Sequence, residues 1–184
     1  MNSCFFKLSS SGLSDVGLVR FNNEDVLLML KEQGFFALAD GMGGHKAGEV
    51  AAREAIRFMS TSIEEHFISS KKIWNIFELS SFNRLCIENA NSWVYHLGKK
   101  KHAYQGMGTT LCTLHFYERS LIYGHVGDSR IYRIREGILK QLTEDHSLKN
   151  QMIAKGQIKK GLSEDSPCNN VLTRAIESIN FSGL

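Results

Sequence analysis

Residues 35–52 read FFALADGMGGHKAGEVAA. Within this stretch the period of the sequence changes. Phe35 to Ala39 is a short apolar run, and the pair Asp40-Gly41 ends it. A glycine-rich turn follows. From Glu49 onward apolar residues recur at spacings of three and four: Ala52, Ala55, Ile56, Met59, Ile63 and Phe67. Alternation between short runs and turns marks a buried strand, and the three-four spacing marks one face of a helix. The stretch is therefore a strand that stops at a carboxylate among glycines and hands over to a long helix.

Upstream, Val26 to Leu30 (VLLML) is a second apolar run, separated from Phe35–Ala39 by Lys31-Glu32-Gln33-Gly34. Two runs split by a Gly-containing turn predict a hairpin. Residues 4–8 (CFFKL) predict a first short strand, with a turn from Ser9 to Gly12. Downstream, Leu79, Phe82, Cys86, Ala90, Trp93 and Leu97 form a second helical stripe, which Gly98 is expected to end. The connection around Ser69 to Lys72 is short, so the helices are expected to pack antiparallel. Thr109–Tyr117, Leu121–Val126, Arg130–Ile134 and Leu139–Leu142 then read as a meander of strands, and 147–155 as one more short helix. Strands, two long helices and strands again define an α+β class with sheets and helices in layers. No repeat or linker divides the chain, so residues 1–184 are expected to form one domain.

Apolar residues make up 42% and charged residues 22% of the 184 positions, which excludes a disordered or low-complexity chain. The 22 basic and 19 acidic side chains leave a net charge of +3. That is too mild for a nucleic-acid binder, so no nucleic-acid partner is expected. Cys4, Cys86, Cys112 and Cys168 are scattered without CxxC spacing, which fits reduced thiols, with Cys86 and Cys112 in the core. The N-terminus lacks the pattern of a signal peptide, and no window approaches the length of a membrane span. A cytoplasmic location with no membrane partner is the expectation.

Carboxylates gather where strands meet turns. Glu24-Asp25 precedes VLLML, Asp40 ends FFALA, and Asp128 lies in the tight turn of GHVGDSR. Each is an ordinary turn residue taken singly. Converging at one end of a sheet, they would form an all-oxygen cluster suited to Mg²⁺ or Mn²⁺. Glycine beside such a ligand, as at Gly41, lets a backbone carbonyl approach the ion as well. Arg20 is a candidate anion clamp, because guanidinium binds phosphate as a fork. His45 lies in the same glycine-rich turn. The glycines themselves fit neither GxxxxGK[ST] nor GxGxxG, and the chain has no GxSxG or HExxH.

Taken together, SDVGLVRFNNED (14–25), ALADGMGGHKAGEVAA (37–52), GMGTTL (106–111) with HVGDSRIYRI (125–134), and LTEDHSL (142–148) with NNVLTRAI (169–176) resemble the bacterial form of the type 2C metal-dependent Ser/Thr protein phosphatases. The resemblance implies a four-layer α/β/β/α sandwich of two antiparallel sheets flanked by helix pairs. It implies hydrolysis of phospho-Ser or phospho-Thr on a protein substrate, the target of a kinase, by water activated on two Mn²⁺ or Mg²⁺ ions. Asp40 would bridge both metals and the Gly41 carbonyl would ligate one. Glu24 and Asp25 would hold metals or their waters, and Asp128 would belong to a third, weaker metal site. Arg20 would grip the substrate phosphate. Met42 stands where some eukaryotic members carry a histidine proposed as general acid.

The sequence departs from this pattern after LTRAI. Glu177 replaces a usual glycine, and no later Asp-Gly or Asp-Asn pair supplies the family's remaining ligands. The resemblance thus implies a phosphatase domain lacking its C-terminal strands and their metal ligands, with impaired activity. The alternative is a non-catalytic remnant that binds a phosphoprotein or a partner protein. Asp145 or Asp165 would be candidates to take over a missing ligand role.

Overall fold

The computed structural model describes residues 7–42, 47–69, 74–158 and 171–177. The predicted hairpin forms from β1 (Asp25–Leu30) and β2 (Phe35–Met42). A short 3-10 turn over Lys31–Gln33 joins them, closed by Gly34 at φ 66. That left-handed conformation favours glycine. β2 is central. β1 runs antiparallel along one side, and β3 (Gly108–Thr109) and β4 (Leu111–Tyr117) run antiparallel along the other. β4 carries β5 (Ser120–Val126) on its far side, and β3 carries β8 (Ile176–Glu177). The run predicted over Thr109–Tyr117 is thus broken at Thr110, where β3 ends and β4 begins.

Alternation along β2 sorts the sheet into two faces. Phe35, Ala37 and Ala39 are buried, while Phe36 and Leu38 are half-buried. The buried face receives α1 (Gly48–Ser69) and α2 (Ile76–Lys100), which pack on one another and on the sheet. Ala51, Ala52 and Ala55 let α1 come close to β2, and Ile56, Met59 and Ile63 fill the space beyond them. α2 begins at a reciprocal cap. Asn75 Oδ1 accepts the Glu78 N–H at 2.9 Å, and Glu78 Oε2 accepts the Asn75 N–H at 3.2 Å.

Two details of α2 differ from expectation. Gly98 does not end it. The helix continues to Lys100, and Gly98 is buried against its neighbours. Trp93 is not in the core either. Val94 takes that place, fully buried, while Trp93 is 40% exposed. Both positions lie near the buried stripe of the helix. The indole lies on the rim, where Nε1–H donates to Glu54 Oε2 at 2.8 Å and Arg57 stacks over the ring.

A second, two-stranded antiparallel sheet forms from β6 (Tyr132–Arg135) and β7 (Ile138–Gln141). α3 (Leu148–Ala154) follows, with Ser147 Oγ accepting the Asn150 N–H at its start. The predicted meander is therefore split between two sheets. Of the strand predicted over 4–8, Lys7 and Leu8 are irregular and the remainder lies outside the described residues. Cys86 and Cys112 are buried free thiols, and Cys4 and Cys168 lie outside the described residues. Among the described residues no helix is long and apolar enough to cross a membrane.

Candidate functional site

The register of the first hairpin sets Asp25 directly opposite Asp40. Residues opposed in this way have Cβ atoms about 5 Å apart on one face of the sheet. That face is the one turned away from the helices, since Asp40 continues the alternation of Phe36 and Leu38. The chain enters this position through a bend at Asn23, whose Oδ1 accepts the Asp25 N–H at 3.0 Å. The Glu24 carbonyl accepts the Gly41 N–H at 3.1 Å, so Glu24 is tied to the end of β2 as well.

Thr109 and Thr110 hold the backbone of Asp40 from the other side. The Thr110 hydroxyl accepts the Asp40 N–H at 3.1 Å. The Asp40 carbonyl accepts the Thr110 N–H at 2.9 Å and the Thr109 hydroxyl at 3.0 Å. Thr110 also reaches the Gly-Asp-Ser turn after β5, its hydroxyl lying 2.6 Å from that of Ser129. Gly127 has φ 104, and a Cβ there would stand 2.7 Å from the Thr110 methyl. Glycine is thus what lets this turn press against Thr110 and bring Asp128 beside Asp40.

Arg20, Glu24, Asp25, Asp40, Gly41 and Asp128 line one pocket of about 460 Å³, with Met42 and Thr110 also on its wall. Every site residue expected from the sequence is brought together here. A larger cavity of about 640 Å³, beside α2 and β8, is lined by none of them. The Asp40 carboxyl is pushed up to about 6, first by burial, then by the charge of Asp25 and its hydrogen bond, then by Asp128 and Glu24. Four carboxylates and a carbonyl make an all-oxygen donor set, which fits a hard divalent cation. They share the pocket without closing on a common point: among the described residues, no three His, Cys, Asp or Glu side chains are gathered into a group able to hold an ion as they stand.

Of the other residues singled out in the sequence, His45 and Asp165 lie outside the described residues. Asp145 is engaged elsewhere, accepting Arg130 Nε at 2.8 Å and Nη2 at 2.6 Å in a fork. Sequence reasoning passed over Thr109, Thr110 and Gly48. The first two stand in GMGTTL, where two hydroxyls beside a strand break are the available signal.

Comparison with known proteins follows the same outline. The family described as protein phosphatase 2C matches residues 21–155. The chain is 34% identical over 166 residues to the serine/threonine phosphatase stp of Listeria monocytogenes, covering 89% of this chain and 64% of that protein. The chain thus spans about two thirds of the length of this curated relative. The fold matches that of the serine/threonine phosphatase Stp1 from Staphylococcus aureus at a TM-score of 0.84 and 30% identity, over 97% of this chain and 69% of that one. It also matches the catalytic domain of the phosphatase PstP in complex with two manganese ions, at a TM-score of 0.72 and 31% identity, over 91% and 66%.

Proposed function

The chain belongs to the protein phosphatase 2C family, and on that premise we propose that its acidic pocket is a centre for hydrolysing phospho-Ser and phospho-Thr on protein substrates, supplied in part by this chain. The observation that carries the reading is the convergence of Asp25 and Asp40, as cross-strand partners, with Glu24, Asp128 and Arg20 in one pocket. Residues 1–184 are read as belonging to one phosphatase domain, and the matched relatives are longer than this stretch.

Glu24, Asp25, Asp40, the Gly41 carbonyl and Asp128 would hold Mn²⁺ or Mg²⁺. The PstP domain bound to two manganese ions supports Mn²⁺. When bound, such an ion lowers the pKa of a water and offsets negative charge at the phosphate. The chain's own residues then have separable roles. The carboxylates give the pocket an excess of negative charge, which repels a phosphate dianion unless cations offset it. Arg20 supplies two parallel N–H donors to phosphate oxygens and so fixes the orientation of the ester. Met42, on the same wall, offers no proton to the leaving alkoxide. The substrate is a phosphoprotein, the target of a kinase, rather than a nucleic acid. The buried free thiols Cys86 and Cys112 support a reducing, cytoplasmic setting.

A second reading is favoured by the absence, among the described residues, of three side chains grouped to hold an ion. On it the chain binds phosphoprotein without turning it over. One experiment separates the two. Hydrolysis of a phosphothreonine peptide by the full chain is measured with and without Mn²⁺, alongside binding of the same peptide by fluorescence anisotropy. Metal-dependent turnover that Asp40→Asn abolishes supports the phosphatase. Binding without turnover supports the remnant, and neither signal rejects both.

A further inference from the structure

The Gly-Asp-Ser turn that brings Asp128 to the acidic pocket is held at both ends. On the far side of Asp128, the Thr110 hydroxyl lies 2.6 Å from that of Ser129, and the Cys112 thiol donates to the Ser129 carbonyl at 3.1 Å. On the near side, Gly127 has no side chain to anchor it, so its place depends on its two main-chain groups. Both are bonded to His146. The His146 N–H donates to the Gly127 carbonyl at 2.9 Å, and His146 Nδ1 accepts the Gly127 N–H at 3.2 Å. Nδ1 is therefore the bare nitrogen, and the ring proton is on Nε2. His146 is fixed in its turn. Its carbonyl accepts the Thr173 N–H at 2.8 Å, Ser147 bridges antiparallel to Leu172, and its ring stacks on that of His125 with centroids 4.5 Å apart. His125 Nε2–H donates to the Glu144 carbonyl at 2.7 Å, which sets that ring as well.

We propose that His146 is a positioning residue of the acidic pocket: its ring nitrogen Nδ1 pins the Gly127 N–H and so fixes Asp128 beside Asp40. The inference rests on the reading of this pocket as the phosphatase centre. Asp128 needs such a hold because it shares the pocket with Glu24, Asp25 and Asp40. Like charges at this range repel, and an exposed aspartate on a loose turn would swing into solvent. The bond from the His146 N–H to the Gly127 carbonyl is open to nearly any residue at 146. The second bond requires an acceptor two bonds beyond Cβ that faces back toward the main chain, and histidine supplies it. His146 itself lines the larger cavity beside α2 and β8, on the other side of the turn from the acidic pocket. It therefore acts through Gly127 and does not touch a bound ion or ester.

The test uses the full chain. Asn carries its amide oxygen as many bonds from Cβ as Nδ1, and Gln as many as Nε2. His146→Asn should therefore keep the brace and His146→Gln lose it. Without metal, ¹⁵N spectra of the parent, which need no variant to fold, should show the ring proton on Nε2. Amide exchange at Gly127 should rise about tenfold in His146→Gln and stay near the parent rate in His146→Asn. Calorimetric titration with Mn²⁺ should give an affinity about tenfold lower in His146→Gln and restored in His146→Asn. With Asp128→Asn already in place, His146→Gln should lower the affinity no further, the mark of a residue that acts through Asp128. A proton on Nδ1 in the parent, Gly127 exchange unchanged in His146→Gln, or a loss of affinity that persists in full beside Asp128→Asn overturns the proposal. A parent that binds no Mn²⁺ counts against the proposed function instead, and the ring tautomer and Gly127 exchange, read without metal, still decide the brace.

Discussion

Gly41 at the end of β2 and Gly48 at the start of α1 are in backbone contact. A Cβ on Gly41 would stand 2.5 Å from the carbonyl carbon and oxygen of Gly48, and one on Gly48 would stand 2.6 Å from Glu24 Oε2 and 2.8 Å from the Met42 nitrogen. The obstructing atoms are mostly main chain, so no rotamer change relieves the clash. Strand and helix must separate, and the separation acts on the residues beside Asp40. Gly41→Ala is expected to destabilise the chain by about 2 kcal/mol, in the range for overpacking, and to weaken Mn²⁺ binding. Urea denaturation and calorimetric titration with Mn²⁺ check both. A variant matching its parent in both would show that this contact does not hold the site.

Thr110 links Asp40 to Ser129, the residue after Asp128, through its single hydroxyl. Thr110→Val keeps the shape and removes the bonds to the Asp40 N–H and to Ser129. The part-buried Asp40 N–H then loses its partner, at a cost of about 1 kcal/mol. The Gly-Asp-Ser turn is also released, so Mn²⁺ affinity should fall more in Thr110→Val than in Thr113→Val, another buried threonine whose hydroxyl bonds the Gly124 carbonyl away from the pocket. Equal losses in the two variants would remove Thr110 from the site.

The order of elements was legible because their periods are unambiguous. The three-four stripe of α1 has one solution that buries its apolar residues, and the apolar run Phe35–Ala39 is short and bounded by glycine turns, as a strand is. The meeting of Asp25 and Asp40 was legible too, since a hairpin closed at Gly34 leaves little freedom of register. Other features were not. Trp93 and Val94 lie next to one another at the margin of the same stripe, and the indole is drawn to the rim by Glu54 and Arg57, partners one helix away that the stripe does not reveal. The need for Gly48 arises from a contact with Gly41 that spans the glycine-rich turn, and no local pattern encodes it. The fork between Arg130 and Asp145 joins residues whose own neighbours give no sign of it.

Arg20 is exposed on the pocket wall. If the pocket takes a phosphate ester, Arg20→Ala should lower phosphopeptide affinity, and Arg20→Lys should not restore it, because an ammonium cannot reproduce the fork. A charge-assisted contact contributes about 1.5–3 kcal/mol, or roughly ten- to a hundredfold in affinity. Anisotropy with a phosphothreonine peptide reads the change, and the unphosphorylated peptide is the control. Full rescue by lysine would reduce the role of Arg20 to bulk charge.

His115 gives the chain an acid limit that is independent of the pocket. It is 1% exposed, on the helix side of β4, with Nδ1 3.1 Å from Asn83 Oδ1 and the ring edge-on to Phe35. Burial, with a smaller contribution from nearby His66, pushes it down to about 4 despite an opposing backbone contact at Gln33. In the unfolded chain the ring takes up its proton near pH 6.5. Between pH 6.5 and about 4 the unfolded state therefore binds the proton and the folded state does not. The contribution of His115 is at full strength above pH 6.5 and is lost as the pH falls through this window, by about 2–3 kcal/mol at pH 4.5. His115→Gln, which does not titrate, separates this loss from that of the carboxylates. Urea midpoints measured from pH 8 to pH 4.5 should fall more steeply for the parent than for His115→Gln, the difference in free energy reaching about 2–3 kcal/mol. Parallel profiles would mean that His115 accepts its proton within the fold, and Asp40 could not supply the acid limit in its place, because a carboxyl pushed up to about 6 stabilises the fold as the pH falls through that value.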